Sequence, residues 1–151
     1  QLDRPLFVIG GGSNVVFSDS YFPGWVIVVA TTGIQWSENT VRVSAGEDWE
    51  TFVVTALQHG YGDFAPLSGI PGTVGATPIQ NIGAYGVEIK EVFHSLKALH
   101  RETLQIQEFD ALACNFGYRE SVFKHELKGQ FVIISVVFSL KKQANLEISP
   151  N

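Results

Sequence analysis

Three stretches of the sequence carry residues that could bind or transform a ligand. The first is Gly10-Gly11-Gly12-Ser13-Asn14, directly after the apolar run Leu6-Phe7-Val8-Ile9. Glycines reach positive φ and let a ligand approach the backbone. Successive N–H groups in such a turn form a nest for an anion, a phosphate above all, and Ser13 and Asn14 would add side-chain donors. The same five residues also read as a plain tight turn. The second stretch runs from Gly60 to Gly86 and holds seven of the fifteen glycines, three prolines and no Lys or Arg. Its bare backbone alternates with Leu67, Ile70, Val74, Ile79, Ile82 and Tyr85, side chains that want burial, a lining suited to a flat heterocycle with a polar edge. The third is Arg119, which by itself reads as a surface cation paired with Glu120 or Asp110.

Several other chemistries are excluded. The Gly10 loop lacks the third glycine of a G-x-G-x-x-G dinucleotide fingerprint, no helical pattern follows it, and no G-x-x-x-x-G-K-[ST] loop is present. His59, His94, His100 and His125 contain no i, i+4 pair, and one cysteine makes a zinc site improbable. Ser13 and Ser68 lack a nucleophile-elbow setting. Cys114 reads as a small buried hydrophobe, Tyr118 as a packing residue, and Lys124 with His125 as a solvated pair.

The elements that must position these residues follow from periodicity. Leu6–Ile9 and Trp25–Val29 read as buried strands, and Val41, Val43 and Ala45 alternate with Arg42 and Ser44 as a strand with one wet face. Asp48 caps a helix whose apolar face is Trp49, Phe52, Val53, Ala56 and Leu57, and Gly60 ends it. Residues 92–99 and 103–107 read as a hairpin around His100-Arg101-Glu102, with a short helix from Asp110. Residues 131–140 form the most hydrophobic strand, expected at the centre of a sheet. The pattern is α+β and rich in strands.

Composition narrows the class further. The 151 residues carry a net charge of -5 and only 17% charged residues, against a usual value of about 25%. An acidic chain with scattered cations argues against a nucleic-acid partner. No apolar run reaches the roughly 18 residues of a membrane span, and a lone cysteine fits a reducing, cytoplasmic setting. The chain lacks Met and begins with Gln1, which suggests a piece of a larger protein.

Residues 70–88, Ile70-Pro71-Gly72-Thr73-Val74-Gly75-Ala76-Thr77-Pro78-Ile79-Gln80-Asn81-Ile82-Gly83-Ala84-Tyr85-Gly86-Val87-Glu88, closely resemble the flavin-binding segment of the UDP-N-acetylenolpyruvoylglucosamine reductase family. Gly10 to Asn14 resemble that family's pyrophosphate loop, and Asn115-Phe116-Gly117-Tyr118-Arg119-Glu120-Ser121-Val122-Phe123-Lys124 its F-G-Y-R-[DE]-S motif. The three occur in family order. The family makes UDP-N-acetylmuramate for bacterial cell walls. The resemblance implies the FAD-binding fold of the vanillyl-alcohol-oxidase type, built of two small α+β subdomains. They are placed at 1–65, with its N-terminal element missing, and 66–142, with 143–151 a linker toward a missing C-terminal substrate domain. It implies FAD as cofactor, NADPH as co-substrate and UDP-N-acetylglucosamine enolpyruvate as substrate, with this piece alone inactive. Gly10, Gly12, Ser13 and Asn14 would hold the pyrophosphate. Pro71, Gly72, Thr73, Gly75, Ala76, Thr77, Ile79, Ile82, Gly83 and Tyr85 would line the flavin, with Ile133 reaching it from the central strand. Several members have serine where this chain has Ala76 and Thr77, so a hydroxyl contact at 76 is lost. Arg119 would be catalytic, stabilising the charge that gathers beside the substrate carboxylate. Two other readings stand beside this one: another flavin oxidoreductase of the same superfamily, and a non-catalytic module whose apolar loop is a protein interface.

Overall fold

A computed structural model describes residues 3–18 and 20–141; the expected linker at 143–151 lies outside the described residues. Five strands form an antiparallel sheet in the order β3 (Ile34–Trp36), β4 (Thr40–Ser44), β9 (Phe131–Ser139), β7 (Phe93–His100) and β8 (Ile106–Asp110). The most apolar strand, β9, occupies the middle position, as its composition predicts. The remaining strands pair off separately, β1 (Leu6–Ile9) parallel to β2 (Trp25–Val28), and β5 (Gly83–Ala84) antiparallel to β6 (Val87–Glu88).

The helix α1 (Trp49–Gln58) begins where expected, because the Asp48 carboxylate accepts a hydrogen bond from Thr51 N at 2.8 Å. Such a cap satisfies one of the orphan donors of the first turn. Gly60, at φ +85°, leads the chain away. Trp49, Phe52, Val53 and Ala56 of α1 are buried, and Leu57 lies at the rim. The helix meets β9 through a ring cluster: Phe52 stacks on Phe138 at 5.3 Å, and Phe64 meets both edge-on, Phe52 at 5.1 Å and Phe138 at 5.7 Å. The Trp49 indole donates to the Leu67 carbonyl at 2.8 Å, so the helix also anchors the first turn of the glycine-rich stretch.

One irregularity in the sheet shapes what lies beneath the site. Lys97 pairs with Ser135 but Ala98 pairs with Ile133, which leaves Ile134 as an extra residue on β9. A bulge of this kind kinks the strand and re-aims side chains. Here the Ile134 carbonyl accepts from Ala45 N at 3.0 Å, and Ile133 and Val136, three apart, are both buried.

The sheet draws β3 and β4 from one side of residue 65 and β7 to β9 from the other, and hydrogen bonding between β4 and β9 ties the two parts together. Three expectations need correction. The second strand of the hairpin starts at Ile106 rather than Thr103, because Leu104 turns through φ +57° and its N–H bonds back to the His100 carbonyl. Residues 34–36, three residues with a single alternation, form a strand that the periodicity did not reveal. Finally, β2 is not buried: Trp25 to Val28 are all at least half exposed, since a two-stranded ribbon has two faces and nothing among the described residues covers them.

The α2 helix (Ala111–Cys114) buries Cys114 completely. Burial, assisted by Asp110, pushes its thiol up to about 12 from an ordinary value of 9.0. Above pH 9 the unfolded chain loses this proton while the folded chain keeps it, so the unfolded state binds fewer protons and stability falls as pH rises toward 12. The slope reaches at most about 1.4 kcal/mol per pH unit. Urea midpoints measured from pH 8 to 11 should therefore fall more steeply in the native sequence than in Cys114→Ala, and a thiol reagent at pH 8 should react only after denaturation.

Candidate functional site

The β1 strand delivers Gly10 to Asn14 to the edge of a cleft of about 300 Å³, at the small end of ligand sites, which run from roughly 300 to 1,000 Å³. The opposite wall is the stretch from Pro71 to Ile82. That wall belongs to no sheet, so its backbone is fastened group by group. Val74 N donates to the Glu47 carbonyl and Gly75 N to the Ala45 carbonyl, both at 2.9 Å, while Trp49 N donates to the Gly72 carbonyl at 3.0 Å. The wall therefore lies flat along the turn that joins β4 to α1.

The glycines on both sides are there because the segments touch. A Cβ on Gly10 would stand 2.7 Å from Thr73 Oγ1, and one on Gly75 would stand 2.6 Å from the Ala45 methyl carbon. Gly72 combines φ +127° with the Ser13 hydroxyl, 3.1 Å from where its Cβ would be. Across the mouth, Asn14 Nδ2 donates to Gln80 Oε1 at 3.2 Å and clasps the two glycine-rich segments together.

The structure brings most of the expected site residues into this cleft. Gly10, Gly12, Ser13 and Asn14 face Pro71, Gly72, Thr73, Ala76, Thr77, Ile79 and Ile82. Gly75 and Ile133 line an adjoining hollow of about 130 Å³ that also touches Gly10, Thr73, Ala76 and Ile79. Gly83 and Tyr85 are not part of the lining. The chain leaves the wall after Ile82 and reverses at Tyr85 (φ +53°) and Gly86 (φ +80°), which puts Tyr85 at the tip of the β5–β6 hairpin, 92% exposed. Residues that sequence reasoning did not single out also line the cleft: Val8, Ile9, Trp49, Gln80 and Lys124. The neighbouring of Trp49 and Lys124 had no local signal, since each arrives from a distant element.

Arg119 stands beside the cleft rather than in its lining. It sits at φ +54° in a turn closed by Gly117 N to the Glu120 carbonyl (3.0 Å) and Glu120 N to the Gly117 carbonyl (3.2 Å). Its guanidinium donates to the Gly83 carbonyl and lies 5.7 Å above the Tyr118 ring. It pairs with neither Glu120 nor Asp110. Glu120 instead bonds to His125, with Lys124 Nζ at 3.6 Å, so Lys124 and His125 are partners of one carboxylate rather than a merely solvated pair. The bond from His125, with help from Lys124, holds the Glu120 carboxyl below the usual range. Lys124 Nζ also donates to the Arg119 carbonyl at 3.0 Å.

Chemically, the arrangement suits an extended anionic ligand with a flat apolar end. The residues lining the cleft include one cation, Lys124, and no carboxylate, although the chain as a whole is acidic. Gly12 and Gly72, both at positive φ, bare the backbone on either side. Among the described residues, no three His, Cys, Asp or Glu side chains gather to hold a metal, and no helix is long and apolar enough to cross a membrane.

The family described as "FAD binding domain" matches residues 1–103, and the chain belongs to it. Over 151 residues the chain is 50% identical to the UDP-N-acetylenolpyruvoylglucosamine reductase of Pseudomonas syringae pv. tomato, and over 144 residues 48% identical to that of Amoebophilus asiaticus. These alignments cover 97% and 92% of this chain but 44% and 42% of the relatives, so the chain spans less than half the length of the curated relatives it matches. The crystal structure of UDP-N-acetylenolpyruvylglucosamine reductase from Thermus caldophilus superposes with a TM-score of 0.76 at 25% identity, covering 94% of this chain and 51% of that one. The fold is thus the α+β FAD-binding fold, and FAD is the cofactor of this domain.

Replacing Gly75 with alanine would press a methyl group against Ala45, a fully buried position. Overpacking of this kind costs about 1–3 kcal/mol. The Gly75→Ala chain should unfold at lower denaturant and bind FAD more weakly, as read by urea titration and by flavin fluorescence.

Proposed function

We propose that this chain is the FAD-binding part of an oxidoreductase that reduces UDP-N-acetylglucosamine enolpyruvate to UDP-N-acetylmuramate with NADPH, a step of peptidoglycan synthesis in the cytoplasm. The observation that carries the proposal is the meeting of Gly10–Asn14 with Pro71–Ile82 in one cleft lined by no carboxylate. When bound, FAD supplies the hydride relay between NADPH and the enol ether.

The residues divide that work by chemistry. Gly10, Gly12, Ser13 and Asn14 hold the pyrophosphate through backbone and side-chain donors, and Lys124 supplies the cation. Pro71, Gly72, Thr73, Gly75, Ala76, Thr77, Ile79, Ile82 and Ile133 form the apolar bed of the ring and keep water from it. Arg119 is the catalytic residue. As the enol ether takes up hydride, negative charge gathers beside the substrate carboxylate, and a planar two-pronged cation stabilises it more than it stabilises the ground state. Its planar guanidinium, resting on the Gly83 carbonyl, retains donors for that carboxylate.

The isolated chain, titrated with FAD, should develop flavin absorbance near ~450 nm and should not consume NADPH in an enolpyruvate-dependent way. A chain that takes up no FAD would point instead to an interaction module. In the full-length protein, Arg119→Ala should slow enolpyruvyl reduction by about 10²–10³-fold while the flavin is still reduced by NADPH at close to the native rate. Loss of less than about threefold would show that Arg119 has no role in charge stabilisation.

A further inference from the structure

The turn that presents Arg119 is joined to the cleft wall by three bonds in alternate register. The Ser121 hydroxyl donates to the Ile79 carbonyl, Asn81 Nδ2 donates to the Gly117 carbonyl at 2.9 Å, and Arg119 donates to the Gly83 carbonyl. One of these bonds ends on a carbonyl of the wall, Ile79, and one on the carbonyl of Gly83, just past its end. The middle one starts from a side chain of the wall, and Asn81 is fully buried. Its Oδ1 accepts from Lys90 N at 3.1 Å, so one amide joins the wall, the segment after β6 and the Arg119 turn. The amide can face only one way, because the Gly117 carbonyl can only accept and the Lys90 N–H can only donate. Asn81 also sits at φ +44°, a left-handed conformation that asparagine tolerates better than most residues.

We propose that Asn81 is the positioning residue for Arg119, holding the 117–120 turn at the depth from which the guanidinium meets the substrate carboxylate; this rests on the reading of Arg119 given above. Without the Asn81 bond, the Gly117 carbonyl keeps only its partner within the turn, and Arg119, in a strained backbone conformation, is free to relax. Glu88, whose carboxyl Lys90 holds below the usual range with smaller contributions from Asn81 and Arg119, lies next to the same junction. Among the described residues, its buried Oε1 makes no hydrogen bond. That oxygen gives the Arg119 guanidinium a second place to go once the turn is loose.

The test uses the full-length protein loaded with FAD. Asn81→Gly keeps the left-handed backbone at no steric cost and removes the amide; Asn81→Asp keeps the acceptor for Lys90 but turns a carboxylate oxygen toward the Gly117 carbonyl. Both should slow enolpyruvyl reduction by about ten- to a hundredfold, the loss expected of a misplacement near 1 Å. The enolpyruvyl step should lose at least about tenfold more than either flavin affinity or the rate of flavin reduction by NADPH. The Gly117 and Glu120 amides should exchange with solvent about tenfold faster in Asn81→Gly. In an Arg119→Ala background, neither change at position 81 should slow the reaction further. Native enolpyruvyl rates in Asn81→Gly alongside a slow Arg119→Ala would overturn this inference alone, as would fully additive losses. A native rate in Arg119→Ala would remove the reading of Arg119, and the role of Asn81 with it.

Discussion

A wall of irregular backbone satisfies only part of its own polar groups, through turns such as Thr77 N to the Val74 carbonyl and Ile82 N to the Thr77 carbonyl, and the groups left over govern how the cleft is built. A strand or helix pairs its N–H and C=O groups internally or with a neighbour of its own kind, whereas buried loop backbone must find partners elsewhere. Residues 72 to 83 do so on two sides. On one side the β4–α1 turn accepts from Val74 N and Gly75 N and donates to the Gly72 carbonyl. On the other, Ser121, Asn81 and Arg119 tie Ile79, Gly117 and Gly83 together. The composition of the stretch follows from this. Close antiparallel contact with the turn demands glycine at 75, while Val74 and Ile82 supply the apolar burial that a loop otherwise lacks.

The five-stranded sheet serves this wall as a platform. Phe138 on β9 holds α1, α1 holds the turn through Trp49, and the turn holds the wall. The extra residue at Ile134 offers its carbonyl to Ala45, the residue against which Gly75 rests. An irregularity in the central strand is thereby passed on, through two hydrogen bonds, to the floor of the cleft.

Much of this was legible in the sequence, and the failures share a cause. Regular periodicity revealed α1, β4 and β9, because each buries one face and exposes or extends the other. The glycine-rich segments announce themselves by composition, and their motifs resemble those of a flavin-binding family. Their mutual contact was not legible: nothing in the sequence says that Gly10 lies on Thr73 or that Lys124 reaches the cleft. Gly83 and Tyr85 continue the same motif, and the resemblance alone places them on the flavin. Two consecutive residues at positive φ turn the chain outward there, and sequence gives no sign of this at a tyrosine. Apolar runs also mislead when a strand stands in a ribbon, as Trp25 to Val28 do.

The parallel ribbon of β1 and β2 has a consequence for how the site is held. Among the described residues, no backbone ladder joins it to the main sheet. It is attached by Arg101, which donates to the Leu6 carbonyl at 2.9 Å, by the contact of Gly10 with Thr73, and by the clasp from Asn14 to Gln80. The two lips of the cleft thus belong to two systems that share no backbone hydrogen bond among the described residues, and side chains such as Asn14 and Gln80 join them. A dinucleotide lying across both lips would act as the rung those systems lack. Occupancy and the docking of the ribbon would then be one linked equilibrium, each strengthening the other in proportion to ligand concentration.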